Sequence, residues 1–341
     1  MERSYIKLKA MKRLLYILFS FLVMVSCGNK TQQGNGRDTI AMAPCPTFMS
    51  ERAMANINAQ CAMGARVPGS DAWRACGDSI VSWFSTLGLK VTEQNLNVKV
   101  FDGTTVPCRN ITASLNPENR DRILLCSHWD SRPWADNDPS PENHHQPVLA
   151  ANDGASGVAV MLELARILSQ SSSVKTGIDF VCFDVEDYGT PQWDDVEREQ
   201  EESTWCLGSK AWAEQAVSNG YQARFGILLD MVGGRGSTFA KESVSLYYAK
   251  PIVDMLWKVA DQLGYGHYFP MREGGSIIDD HLNVNQIAQV PCIDIIPYHS
   301  DGPSSFGPTW HTINDTPDNI DPNVLEAVGQ SVLQLICNDA K

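Results

Sequence analysis

The sequence predicts an α/β protein with an open, mostly parallel central sheet and helices on both faces. Four short apolar runs rich in β-forming residues lie at 123–126, 178–183, 225–229 and 292–296, as is typical of strands buried on both sides. Longer segments with helical apolar spacing lie between them, and strands that alternate with helices form parallel sheets. With 43% hydrophobic and 20% charged residues among 341, the composition is that of a globular chain.

Four helices are predicted from apolar periodicity and from residues that start or stop a helix. Their predicted ranges are 78–87, 155–168, 251–263 and 323–337. Gly88 and Gly264 stand where a C-terminal glycine ends a helix. Pro251 and Pro322 occupy first-turn positions, and Asp321 is a suitable N-cap.

The N-terminus has the pattern of an export signal. Basic residues precede an apolar stretch at 14–25, which is too short to be a typical membrane span. Val25-Ser26-Cys27-Gly28 resembles the lipobox of bacterial lipoproteins, in which the cysteine is acylated and becomes the first mature residue. A plain cleaved signal and a retained anchor remain alternatives. We therefore expect a signal peptide at 1–26, a lipidated Cys27 with a flexible tether to residue 45, and one domain at 46–341 in the periplasm.

Charge and cysteine content narrow the possible partners and compartment. Asp and Glu outnumber Lys and Arg by 40 to 27, giving a net charge of −13, which argues against a nucleic-acid partner. Nine cysteines follow Cys27, and an exported chain permits disulfides. The odd number leaves at least one thiol free, and spacing does not reveal the pairing.

Titratable residues follow each predicted strand. His128 and Asp130 follow the first, 184–187 the second and Asp230 the third, and the loop after the fourth holds Trp310-His311. Ligands of open α/β sheets bind beyond the carboxyl ends of the strands. We therefore expect these groups to meet at one edge of the sheet.

A metal site can be assembled from these loops. Asp153, Glu186 or Asp187, and His311 would supply two carboxylates and an imidazole, as a catalytic zinc ion with one open position requires. In the Glu186-Asp187 pair, one side chain can bind metal while its neighbour acts as general base. Each residue also has an ordinary alternative: an N-cap for Asp153, a solvated acidic pair, and a surface histidine.

The motifs HWD, AANDGASGVAVMLELAR, FDVEDYG, LLDMVG and WHT, in this order, resemble the M28 family of zinc aminopeptidases. Within that family, Trp193, the segments 278–281 and 290–297, and Phe306 near Trp310 resemble bacterial members of the animal-type glutaminyl cyclases. The resemblance extends from about Arg66 to the C-terminus.

The resemblance implies a role for individual residues. The implied zinc ligands are Asp153, Asp187 and His311. The implied catalytic groups are Glu186 as acid and base, with Asp230 and Asp279 as its proton network. The implied aromatic substrate pocket is Trp193, Phe306 and Trp310, for which core packing is the alternative.

Two residues depart from the pattern of the mammalian cyclases. Position 187 is Asp where they have Glu, so the ligand is one methylene shorter. Asp294 stands where they have a histidine, which leaves its role and that of Asp280 open.

The expected function is zinc-dependent cyclisation of N-terminal glutamine in peptides and proteins to pyroglutamate, with release of ammonia, by a monomer. The alternative is an M28 aminopeptidase, in which a second zinc would use His128 and Asp230 and Asp153 would bridge the metals. A metal-free binding lipoprotein is the third possibility.

Overall fold

Six strands form one mixed sheet in the computed structural model, which describes residues 39–172, 174–194, 203–301 and 304–339. The strands are β1 (Lys90–Lys99), β2 (Thr105–Leu115), β3 (Arg122–His128), β4 (Gly177–Phe183), β5 (Phe225–Leu229) and β6 (Cys292–Ile295). Their spatial order is β1-β2-β4-β3-β5-β6. The chain divides into two units, 1–39 and 40–341. The predicted signal peptide and Cys27 lie outside the described residues.

Seven α-helices are described. They are α1 (Ser50–Ala62), α2 (Asp71–Thr86), α3 (Ala155–Ser169), α4 (Leu207–Ser218), α5 (Ser243–Gln262), α6 (Asp280–Gln286) and α7 (Pro322–Asp339). Two 3-10 turns lie at Pro141–Asn143 and Pro317–Asn319. Of the described helices, none is both long and apolar enough to cross a membrane.

The four predicted strands are the parallel part of the sheet. β3 pairs in parallel with β4 on one side and β5 on the other, and β6 extends the sheet beyond β5. β1 and β2 form an antiparallel hairpin that joins β4. The carboxyl ends of β3 to β6 therefore lie along one edge.

Helices cover both faces, as the composition of the strands predicts. In β3, Ile123 and Leu125 face the core built with α1, α2, α3, α5 and α7. Leu124 and Cys126 face a second core built with α4 and α6. Since successive residues point to opposite faces, a strand covered on both sides needs a continuous apolar run. The predicted α/β class is confirmed.

The hairpin and three helices, α1, α4 and α6, were not predicted. In β1 a mostly polar sequence alternates between exposed and half-buried residues, so no continuous apolar run marks the strand. Two predicted helix starts were also wrong. The Ser70 side chain accepts a hydrogen bond from Trp73 N at 3.1 Å and begins α2 at Asp71. Glu242 caps α5, which passes Pro251 with a kink at Ala249.

Glycine allows α3 to lie directly on the sheet. A Cβ atom on Gly157 would stand 2.2 Å from both Leu229 O and Ser127 Oγ. A Cβ on Gly154 would meet His128 O at 2.4 Å. The start of α3, and Asp153 before it, is thereby brought against the carboxyl ends of β3 and β5.

We expect Gly157→Ala to lower the free energy of unfolding by about 1–3 kcal/mol, because the added methyl group has no space. Urea denaturation measures the change. The control is Gln215→Ala on the exposed face of α4, which should alter stability by less than about 0.5 kcal/mol. Equal stabilities for Gly157→Ala and wild type would contradict the close packing of α3.

Candidate metal centre and active site

Three predicted ligands, Asp153, Asp187 and His311, meet in a buried cluster at the carboxyl edge of the sheet. We call this group of side chains the metal cluster. One ligand atom from each of Asp153, Asp187 and His311 lies within 4.8 Å of the others. His311 Nε2 is 3.0 Å from Asp187 Oδ1 and 3.6 Å from Asp153 Oδ2. All three side chains are buried. The structure therefore brings together residues separated by more than 150 positions in the sequence.

The cluster fits a divalent cation. Asp153 Oδ2 and both carboxylate oxygens of Asp187 are buried without a hydrogen-bond partner among the described residues, which is costly for a carboxylate unless a cation compensates. Burial, and then the charge of Arg132, lowers the pKa of His311 to about 3. The imidazole is therefore neutral, the form that binds metals.

Two of the ligands are held by their neighbours. The Asp315 carboxylate accepts hydrogen bonds from Asn152 N at 2.8 Å and Asp153 N at 3.0 Å. Gly154 precedes α3 as N-cap without a side-chain cap, so the Asp153 carboxylate is not used as a helix cap. The His311 ring stacks on Trp310, with centroids 3.8 Å apart.

A short turn after β4 separates the roles of Glu186 and Asp187. Asp130 accepts hydrogen bonds from both backbone amides, each at 3.2 Å. Asp187 points into the metal cluster, whereas Glu186 Oε1 accepts a hydrogen bond from Cys206 Sγ at 3.3 Å. Glu186, Cys206 and Asp279 offer atoms within 4.8 Å of one another. The acidic pair is therefore part of the site and not a solvated surface feature.

Arg132 supports the metal cluster and was missed from the sequence. Its guanidinium forms a two-pronged ion pair with Asp136, at 2.7 and 2.5 Å. Nη1 donates to Asp187 O at 3.0 Å and lies 3.6 Å from Asp187 Oδ1. The only sequence signal is the four-residue spacing of Arg132 and Asp136 in a loop that otherwise carries no motif.

Burial raises the pKa of each remaining carboxyl group of the site. Burial raises the pKa of Asp230 to about 6, against the hydrogen bond from His128. Burial, and then the charge of Asp230, raises the pKa of Asp279 to about 7. Burial, with Asp187 and Asp279 nearby, also raises the pKa of Glu186. A closely spaced set of buried carboxyl groups resists full ionisation and shares protons.

A second group of possible ligands adjoins the first. His128 Nε2 lies 3.0 Å from Asp153 Oδ1 and 3.1 Å from Asp230 Oδ1. The three residues offer atoms within 4.8 Å of one another. Asp153 therefore belongs to both clusters, as the two-metal alternative requires.

The metal cluster opens into a cavity of about 310 Å³. Its polar lining residues are Asp153, Glu186, Asp187, Asp230, Asp279 and His311. Its aromatic and aliphatic lining residues are Trp205, Met231, Ile277, Ile278, Ile296, Phe306 and Trp310. The cavity thus combines acids and an imidazole with an apolar, largely aromatic lining, and the rings of Trp310 and Trp205 both stack on His311.

Two of the three predicted aromatic residues line this cavity, and Trp193 is not among the lining residues. Trp193 is 44% exposed and packs on His145, with ring centroids 4.6 Å apart. Trp205, which the sequence analysis did not single out, lines the cavity instead. No sequence pattern singled out Trp205; in the structure its ring packs against Gly189, where a Cβ would lie 2.2 Å from the ring.

Asp294 and Asp280 lie buried behind the cavity. Asp294 Oδ2 is 3.7 Å from His281 Nδ1, and His281 Nε2 is 3.2 Å from Glu242 Oε2. The imidazole of His281 thus stands between two acids. Asp280 is the first residue of α6, directly after its N-cap Asp279.

Comparison with known proteins gives concordant matches. Residues 110–336 match the model of Peptidase family M28. A crystal structure of Bacteroides thetaiotaomicron glutaminyl cyclase bound to N-acetylhistamine superposes with a TM-score of 0.84 at 46% identity, over 86% of this chain and 99% of that one. A crystal structure of a leucine aminopeptidase precursor from the same organism superposes with a TM-score of 0.82 at 46% identity, over 87% of this chain and 99% of that one.

A curated relative is more distant. Glutaminyl-peptide cyclotransferase of Bothrops jararaca is 25% identical over 66% of this chain and 64% of its own length. The match of this chain thus spans less than two thirds of that relative.

We expect Asp130→Asn to lower the free energy of unfolding by about 1–3 kcal/mol, because one of the two buried amides of the turn loses its acceptor. Chemical denaturation measures the loss. The matched control is Asp318→Asn at an exposed position. If both variants unfold like wild type, the turn does not depend on Asp130.

Proposed function

We propose that this chain, which belongs to peptidase family M28, closes the N-terminal glutamine of peptides and proteins to pyroglutamate and releases ammonia. The observation that carries the proposal is the shared cavity, into which Glu186, Asp279, the metal cluster and an aromatic wall all face. The 46% identity to a bacterial glutaminyl cyclase over 99% of that chain supports it.

The reaction needs a site that folds the substrate back on itself. The α-amine attacks the side-chain amide carbon of the same residue, so no activated water takes part. We propose that Asp153, Asp187 and His311 hold one zinc ion. When bound there, zinc would supply a Lewis acid that polarises the side-chain carbonyl. The side chain of Asp187 is one methylene shorter than Glu, and Arg132 steadies its backbone carbonyl.

Glu186 is positioned to move the proton that the reaction transfers. It would accept the proton of the attacking amine and return it to the departing nitrogen as ammonia forms. Asp279 lies beside it within 4.8 Å, and Asp230 lines the same cavity, so the pair can stabilise either protonation state of Glu186. The thiol of Cys206 donates to Glu186 Oε1 and orients the carboxyl group.

The aromatic wall favours the compact substrate conformation. Phe306 and Trp310 pack together with centroids 4.8 Å apart and line the cavity next to His311. An apolar wall excludes water, which would otherwise hydrolyse the amide, and limits the conformations of a bound glutamine. Trp205 adds a third ring.

An aminopeptidase is the second candidate. The cluster of His128, Asp153 and Asp230 could hold a second metal, and the similar B. thetaiotaomicron structure named a leucine aminopeptidase precursor agrees with this reading. We favour the cyclase because Asp279 lies beside Glu186 and can share a proton with it. Hydrolysis by a metal-activated water does not need such a second carboxyl group.

We also propose that the chain is exported and held at the membrane by a lipid on Cys27, which would place the enzyme among peptides outside the cytoplasm. The support is the signal pattern of the N-terminus and its Val25-Ser26-Cys27-Gly28 junction. Metabolic labelling with a radioactive fatty acid should label wild type and leave Cys27→Ala unlabelled.

Two substrates separate the cyclase from the aminopeptidase. With Gln-2-naphthylamide, a cyclase releases ammonia and leaves the naphthylamide bond intact. With Leu-p-nitroanilide, an aminopeptidase releases p-nitroaniline. We expect ammonia from the first and no product from the second; the reverse pattern would assign the alternative function.

We expect Glu186→Gln to bind zinc like wild type but to lose roughly 10²–10⁴-fold in kcat, because the amide cannot carry the proton. Ammonia release and zinc content are measured on the same sample. Glu214→Gln, at an exposed position of α4, is the control. Turnover within about tenfold of wild type would remove Glu186 from this role.

We expect Asp187→Ala to lose bound zinc, because one of three ligands and its buried charge disappear. Zinc per mole of purified protein, determined by atomic emission, is the measurement. Asp194→Ala, an exposed acid nearby, should retain zinc. A full zinc complement in Asp187→Ala would show that the ligand set is different.

A further inference from the structure

We propose that Cys45 and Cys337 are a crosslinking site, at which oxidation joins the N-terminal segment (residues 40–48) to α7 by a disulfide. Their Sγ atoms lie 2.6 Å apart although 292 positions separate them in the sequence. Both are thiols in the structure. A disulfide has an S–S length of about 2.05 Å, so only a small shift of the side chains is needed to form the bond.

Hydrogen bonds to side chains of α7 hold the N-terminal segment on both sides of Cys45. Asn338 Oδ1 accepts from Ala43 N at 2.8 Å. Gln330 Oε1 accepts from Phe48 N at 2.7 Å. These two residues of α7 flank Cys337, so the contact between the sulfurs belongs to a defined docking of the segment along the helix.

Burial also holds the segment in place. Phe48 is 2% exposed, and its ring lies where a side chain on Gly329 would stand, 2.5 Å from a Cβ placed there. At the other end, Gln262 of α5 exchanges two hydrogen bonds with the backbone of Ile40, at 2.6 and 2.9 Å. The segment is therefore preorganised before any bond forms between the sulfurs.

Access to an oxidant distinguishes this pair from the other cysteines. Cys45 is partly exposed and lies over Cys337, which is 9% exposed, whereas Cys126 and Cys292 are completely buried in strands of the sheet. Cys61, Cys76, Cys108, Cys182 and Cys206 are buried as well. A disulfide-containing oxidant can therefore reach the Cys45–Cys337 pair before the others.

The chemistry is thiol–disulfide exchange with an oxidant that carries its own disulfide, such as oxidised glutathione or a dithiol oxidase. Cys45, the more exposed thiol of the pair, loses its proton and attacks one sulfur of the oxidant, whose other sulfur leaves as a thiol. Cys337 then loses its proton and attacks Cys45 Sγ, and the second thiol leaves. Overall the protein gives two protons and two electrons to the oxidant, and one S–S bond replaces another.

The protonation of the pair favours Cys337 as the nucleophile of the second step. The hydrogen bond from Cys45 lowers the pKa of Cys337, and the thiolate is the attacking species. The same hydrogen bond and burial raise the pKa of Cys45. The pair therefore contains one nucleophile and one protonated partner.

A disulfide between Cys45 and Cys337 would affect the stability and local opening of the domain. The segment includes the last residues of the predicted tether, which the structure shows hydrogen-bonded to α5 and α7 from Ile40 onward, so a crosslink at Cys45 would fix the point at which the tether leaves the domain. None of the residues that line the cavity belongs to the segment or to α7. We therefore expect the crosslink to change stability and local opening but not turnover, and the inference does not depend on the proposed activity.

The test is a peptide map of the full-length protein after incubation with oxidised glutathione and alkylation of free thiols. Trypsin with a glutamyl endopeptidase yields peptides 38–51 and 327–341, each with a single cysteine. We expect one joined species, two hydrogens lighter than the sum of the two thiol peptides. The denatured oxidised protein should contain two fewer titratable thiols than the reduced protein.

Hydrogen–deuterium exchange and thermal melting test the proposal on the wild-type protein, without any substitution. Oxidation should raise the melting temperature and slow exchange in residues 40–48 several-fold, and dithiothreitol should reverse both changes. Cys45→Ser should lose the joined peptide and the response to dithiothreitol, whereas Cys61→Ala should keep both. Alkylation of Cys45 and Cys337 in the oxidised sample, or joining of either to another cysteine, would overturn the proposal.

Discussion

The burial of negative charge at one edge of the sheet is the constraint on which the rest of the site depends. Asp153 and Asp187 place carboxylate oxygens in a buried cluster where several have no hydrogen-bond partner among the described residues, and an isolated carboxylate cannot be buried at low cost. A divalent cation between them and the neutral His311 would remove that cost. The arrangement therefore has the chemistry of a metal site and not that of a collection of surface acids.

Most of the surrounding structure keeps these ligands in place. Asp130 accepts both amides of the Glu186-Asp187 turn, Asp315 accepts the amides before α3, and Arg132 donates to the Asp187 carbonyl. All three supports are buried. Residues that orient ligands in this way commonly matter to a metal site nearly as much as the ligands themselves.

The adjacent carboxylates Glu186 and Asp187 point to different parts of the site. Asp187 is used for the cluster, while its neighbour Glu186 faces Cys206 and Asp279 across the same cavity. A sharp turn, with Val185 at φ 50, permits two adjacent carboxylates to point in different directions. One short segment thus presents one carboxylate to the cluster and the other to Cys206 and Asp279, and Asp130 accepts both of its backbone amides.

The sequence by itself determined the α/β class, the four parallel strands and the edge at which the site lies, because buried strands need continuous apolar runs and their loops carry the polar residues. The resemblance then favoured Asp153, Asp187 and His311 among the candidate ligands. Only the tertiary structure decided that Trp205 and not Trp193 lines the cavity, that Arg132 supports Asp187, and that Cys45 faces Cys337. These contacts join residues from separate loops, or from the two ends of the chain, and depend on side-chain packing, which leaves no periodic trace in the sequence.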